Sequence, residues 1–205
     1  ALEPATSDSF FNTVRAVFTQ GRGTRGALAK YLFVFSGAVD LYGLTFGTNS
    51  PLNICEKVYL RDLPMHGVRQ VLSQFESLDV PVVVDAATHL HDLVEGHPYL
   101  TMRICSLLEE AKVPQVNGNA IDDVAEQMLI EDDSIAHVIR ELERNQAARE
   151  RLREIVMAGR EIPFSRNDPI LAALEMIGAV QPVQPCRVRN RLYERALRSY
   201  YAEQS

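Results

Sequence analysis

Cysteine is scarce in this sequence. Cys55, Cys105 and Cys186 are odd in number and far apart, and no Cys-x-x-Cys pair exists. That pattern excludes a disulfide framework and a structural zinc site, leaving reduced and mostly buried thiols, as in a cytoplasmic protein. Long apolar runs are missing as well. Nothing approaches the ~20 residues of a membrane span, and no charged-then-apolar signal segment opens the chain. A soluble, cytoplasmic protein without a membrane partner is the expectation. Positive charge is also in deficit: 21 Lys+Arg stand against 27 Asp+Glu in 205 residues, a net charge of −6. Such a balance argues against a general nucleic-acid or membrane-surface binder.

Catalytic signatures are missing in the same way. A phosphate-cradling loop needs G-x-x-x-x-G-K-[ST], and "GRGTRGAL" (21–28) has the glycines without the Gly-Lys-Ser/Thr, so it reads as a surface turn. "VPVVVDAAT" (80–88) has the look of an apolar strand ending in a magnesium-holding Asp. It lacks a second acidic residue beside Asp85, which serves equally well as the start of a helix. Ser36-Gly37 follows an apolar run, but no G-x-S-x-G surrounds it, which argues against acyl transfer. His89 and His91 are two apart and cannot share a helical face, while His66, His97 and His137 are isolated. No metal site is expected from these spacings.

What is present is a core-forming chain, 46% hydrophobic, large enough for one or two domains. Its charge is uneven. Before residue 140 there are 9 Lys+Arg against 18 Asp+Glu; from Arg140 onward there are 12 against 9, and the basic residues there are arginines. Arginine suits carboxylate and phosphate partners through its planar fork. Periodicity predicts a helix within "SDSFFNTVRAVFTQ" (7–20), a buried strand over "YLFVFSGAV" (31–39) and a short extended segment over "EKVYLRDL" (56–63). Helices follow over "MHGVRQVLSQF" (65–75) and "PYLTMRICSLLEEAK" (98–112), the latter opened by Pro98. One or two more are expected over 121–145, then one over 145–158 stopped by Gly159. Another is capped by Asp168 before Pro169 and stopped by Gly178. "VQPVQPCRVRN" reads as two short strands around Pro182 and Pro185, and "RLYERALRSYYAEQ" as a final amphipathic helix. The helix–helix–hairpin–helix order over 134–205 is that of a winged-helix domain. Its arginines Arg187, Arg189, Arg191 and Arg195 are candidates for partner or DNA contact, with a protein partner favoured because a segment charge of +3 is weak for counterion-driven binding.

Taken in order, "DSFFNTVRAVF", "LFVFSGAVDLYGL", "SPLNICEKVYLRDL", "GHPYLTMRIC" and "RNRLYERAL" resemble the AAA-like ATPases of the STAND class, signal-transduction ATPases with numerous domains. The most specific part is "SPLNI…VYLRDL" followed at a distance by "GHPYL"; Leu52 stands where the family usually has Phe. The resemblance implies a mainly α fold with a small β component: the C-terminal part of an α/β P-loop core over 1–63, a helical lid over 64–133 and a winged helix over 134–205. It further implies that Gly96, His97 and Pro98 form a lid turn whose proline meets adenine. Arg103 lies about a turn further along and would approach phosphates, and Ser36 occupies a first-sensor position. The P-loop and the magnesium strand are absent from these residues. ATP or ADP with magnesium is therefore expected only where an upstream P-loop segment is present, and the 205 residues alone are expected to lack ATPase activity. Partners would be an upstream ATPase core or another protein, and a lone core strand could also pair with a second copy of the chain.

Overall fold

Helix ends in this chain are written in Asn, Asp, Pro and Gly, and the backbone follows them closely. A computed structural model describes residues 61–204, together with Ser9, Phe10, residues 12–17, Thr19, Val34 and Glu56. By internal contacts the chain divides into two units, Ala1–Tyr59 and Leu60–Ser205. In the first, the described residues between Ser9 and Thr19 are helical, and the Thr13 and Thr19 hydroxyls donate to the carbonyls of Ser9 and Arg15. The buried strand expected over 31–39 lies outside the described residues except for Val34, which is exposed and in no helix or strand.

The second unit is mainly helical with a small β component. Helix α1 (Met65–Leu72) runs into a 3-10 turn (Ser73–Leu78), and α2 (Ala86–Val94) follows. The valine run between them forms no extended strand. Val82 makes an isolated parallel bridge to Val116, with the Val83 amide donating to the Val116 carbonyl at 2.9 Å. Asp85 then sits at the N-cap of α2, although its side chain makes no capping bond. Helix α3 (Pro98–Glu110) starts with proline at its first turn, where a missing N–H costs nothing. The long acidic stretch resolves into two helices, α4 (Gly118–Glu131) and α5 (Asp133–Arg144), and then come α6 (Gln146–Ala158) and α7 (Pro169–Met176). Side-chain oxygens of Asn117, Asp132, Asn145 and Asp168 accept backbone N–H groups at the starts of α4, α5, α6 and α7. Each satisfies donors that the helix itself leaves orphaned. Gly159 closes α6 at φ 61°, and a Cβ added there would meet nothing within 4 Å; it is a left-handed stop that glycine adopts without strain.

Strands β1 (Val180–Gln181) and β2 (Arg187–Val188) pair antiparallel, Val180 opposite Val188, and helix α8 (Arg191–Glu203) ends the chain. This last helix is capped by Asn190 and packs on α2, α4, α5 and α6. Its inward residues Leu192, Leu197 and Tyr201 are buried in the same core as Leu90, Ile104, Leu142 and Leu152. Fully burying a side chain of this size contributes roughly 1.5–3 kcal/mol, so α8 is the element that binds the early helices to the late ones. Among the described residues no helix is long and apolar enough to cross a membrane.

Candidate functional site

The turn between α2 and α3 is built from two consecutive left-handed residues, Glu95 at φ 51° and Gly96 at φ 69°. Gly96 is required here for two reasons. Its φ suits glycine, and a Cβ added to it would lie 2.0 Å from the Leu63 carbonyl oxygen. That approach is sealed by the Leu63 amide, which donates to the Gly96 carbonyl at 2.7 Å. His97 follows as the N-cap of α3, its Nδ1 facing the Leu100 amide at 3.5 Å. Pro98 then stands exposed at the first helical position, beside exposed Tyr99. Gly96, His97 and Pro98 thus form one tight corner between α2 and α3.

His97 is held from the C-terminal side. Its ring packs at 6.3 Å and 55° from that of Tyr193 on α8. Burial and then the Arg189 guanidinium push the imidazole pKa below its ordinary value, against a smaller opposing pull from Asp62. The ring is consequently biased toward its neutral form. Met102 and Arg103 come one turn along α3, and the Arg103 guanidinium lies 3.3 Å from Glu110, which also accepts from the Ser106 hydroxyl at 2.9 Å. Tyr99 donates its hydroxyl to Asp132 at 3.0 Å, tying the exposed start of α3 to the start of α5. Ser36 lies outside the described residues.

The candidate arginines are distributed differently from one another. Arg187 grips Glu95 through both carboxylate oxygens, at 2.9 and 2.7 Å. Arg189 pairs with Asp62. Arg195 sits 3.6 Å from Asp122 and 3.5 Å from Glu126. Arg191 is exposed and lines a cleft of about 280 Å³ together with Glu95, Arg160, Arg187 and Glu194. Glu95, Asp62 and Gln181 were not singled out from the sequence. The one legible hint was that Glu95 immediately precedes the glycine of a helix stop; nothing local marks Asp62 or Gln181. Among the histidines, His89 Nε2 lies 3.1 Å from Asp122. Among the described residues no three His, Cys, Asp or Glu side chains converge as metal ligands would.

The family model of the AAA-like domain matches residues 2–200. The chain belongs to the AAA-like domain family. No curated protein matches it. Among solved structures it is similar to the RuvB Holliday junction branch migration motor of Thermotoga maritima, at 16% identity and a TM-score of 0.36 over 66% of this chain. A point variant of the same motor gives the same values. The chain spans about half the length of these RuvB chains, covering 49% of each. At the corner, the His97 ring, the exposed Pro98 and the first turn of a 13-residue helix stand side by side.

Proposed function

We propose that this chain is a regulatory, non-catalytic portion of a STAND-class AAA-like ATPase, which couples nucleotide state to partner contacts. The observation that carries the reading is the geometry of the corner. Gly96 adopts a backbone that only glycine tolerates against Leu63, and the result is an exposed Pro98 one turn before Arg103. In this reading residues 64–133 act as the lid, Pro98 meets adenine and Arg103 approaches phosphate after releasing Glu110. Residues 134–205 act as a winged-helix output domain, residues 1–63 belong to the ATPase core and Ser36 is a sensor. ATP or ADP with magnesium binds when a P-loop segment is supplied upstream, and the protein works in the cytoplasm. A protein partner is favoured over DNA, because Arg187 and Arg189 are already engaged with carboxylates of the same chain.

The test is thermal unfolding with and without ATP and magnesium, on this chain alone and on a longer one carrying a G-x-x-x-x-G-K-[ST] segment. Protection of the longer chain only, lost on Pro98→Ala, is the expected result. Nucleotide turnover by the 205 residues alone would overturn the reading.

A further inference from the structure

The carboxylate of Glu95 is fully committed. Its Oε1 accepts from Arg187, and its Oε2 accepts from Arg187 at 2.7 Å and from the Gln181 amide at 2.7 Å. The Gln181 amide also donates to the Arg189 carbonyl at 2.6 Å, and the Gln181 oxygen accepts from Arg187 at 3.0 Å. Arg189 in turn pairs with Asp62. Asp62 adjoins Leu63, whose amide bonds to the Gly96 carbonyl, and Gly96 adjoins Glu95. The contacts therefore close a ring: corner, hairpin, entry segment and back to the corner. Outside the ring, His97 packs against Tyr193 on α8, the helix that follows the hairpin.

We infer that this ring is a mechanical relay, through which displacement of the Gly96-His97-Pro98 corner is passed to the β1–β2 hairpin. Two features make it a relay and not a general stabiliser. Glu95 sits in the corner itself, so the corner cannot rotate without dragging the Arg187 fork, whose two parallel bonds fix direction as well as distance. The hairpin has only two paired residues on each side, so its position depends less on its own ladder than on its attachments: the Arg187 fork, the bridge from Cys186 to Ile162, and the buried Val180 and Val188. The pair also lies in the wall of the open cleft, where water reaches it and it can release. That nucleotide drives the relay rests on the reading above; that the corner and the hairpin are coupled does not.

The coupling is tested on the whole chain without nucleotide, by amide hydrogen exchange in peptides covering 179–190. His97→Ala disturbs the corner, and is expected to speed hairpin exchange by up to about fivefold, the factor matching loss of one exposed ion pair. In a Glu95→Gln background the hairpin is already fast, and adding His97→Ala changes it no further. The charge-swapped pair Glu95→Arg with Arg187→Glu restores part of the protection. Should His97→Ala unfold the chain, Pro98→Ala supplies a milder disturbance at the same corner. An unchanged hairpin in the corner variants, or an equal increment with and without Glu95, overturns the relay. Either result leaves the nucleotide reading to its own thermal test.

Discussion

Gly96→Ala is the sharpest perturbation of the corner, and its cost can be worked from the backbone. Holding a residue with a Cβ in the left-handed region costs about 1 kcal/mol. Gly159→Ala incurs that cost and little else, because φ there is 61° and no atom lies within 4 Å of the new Cβ. At Gly96 the same methyl would meet the Leu63 carbonyl oxygen at 2.0 Å, with the carbonyl carbon at 3.0 Å and the Leu63 nitrogen at 3.2 Å. Nothing in that set is a flexible side-chain end, so the 61–64 segment must move by more than an ångström. The Leu63–Gly96 hydrogen bond is then lost, at about 1 kcal/mol, and the strain of an imperfectly relieved contact adds a similar amount. Gly96→Ala is thus expected to cost roughly 3 kcal/mol against about 1 kcal/mol for Gly159→Ala. Any gain from stiffening the unfolded chain is the same for both and cancels in the comparison.

The chain has no tryptophan, so unfolding is best followed by far-ultraviolet circular dichroism in urea. The difference of about 2 kcal/mol corresponds to a midpoint several degrees lower in the thermal experiment, at unchanged urea dependence. Equal losses in the two variants would refute the reasoning, since only the Leu63 approach distinguishes them.

Other consequences are as concrete. Asp168→Ala removes the oxygen that accepts the Ile170 and Leu171 amides and the partner of Arg151, and should cost about 1–2 kcal/mol by chemical denaturation. Burial pulls this carboxyl's pKa upward, but the two amides and Arg151 outweigh it and hold the group below its ordinary value. Its contribution is therefore present at neutral pH and fades as acid titrates it, so wild type and Asp168→Ala should converge at the lowest pH. His97 has the depressed pKa of a half-buried base: the unfolded chain takes up the proton first, and stability falls as pH drops below the ordinary histidine value of 6.5. His97→Gln should flatten that part of the stability–pH curve, and an unaltered curve would assign the slope to other groups. Ile104→Ala empties a fully buried position on α3 and should cost about 2–5 kcal/mol, read from the urea midpoint. Duplex DNA should bind weakly, with fewer than about three counterions released per chain; a steep salt dependence would favour a nucleic-acid role instead.

Much of the helical layout was legible because its signals are local. Asp168 before Pro169, Asn145 before α6 and Gly159 after it act within one turn, and the residues that place the boundary are the residues at the boundary. Pro182 and Pro185 likewise mark the loop of the hairpin. The valine run 82–84 was ambiguous for a physical reason: its partner is the single residue Val116, more than thirty positions away, and one bridge leaves no periodicity to read. In the corner, Gly96, His97 and Pro98 were visible as a helix break, whereas the residues that hold the corner were not. Asp62 and Arg189 are 127 positions apart, and Glu95 and Arg187 are 92 apart. Each is an ordinary charged residue in its own neighbourhood, and only folding gives the pairs meaning.

The charge asymmetry takes on a different sense once those pairs are placed. Read along the chain, an arginine-rich end following an acidic stretch suggests a basic surface offered to an anionic partner. In the folded unit three of those arginines reach back into the acidic stretch: Arg187 to Glu95, Arg189 to Asp62 and Arg195 to Asp122 and Glu126. Others are matched within the late segment, Arg151 by Asp168 and Arg166 by Glu175. The local excess of positive charge is thus largely consumed by cross-links between the early and late parts of the unit. Exposed pairs of this kind contribute at most about 1 kcal/mol each, so stability alone is a weak reason for them. Their value lies in orientation: the Arg187 fork on Glu95 sets direction as well as distance between the hairpin and the corner. An asymmetry that looked like an invitation to a partner is, in this unit, mainly the wiring between its own two halves.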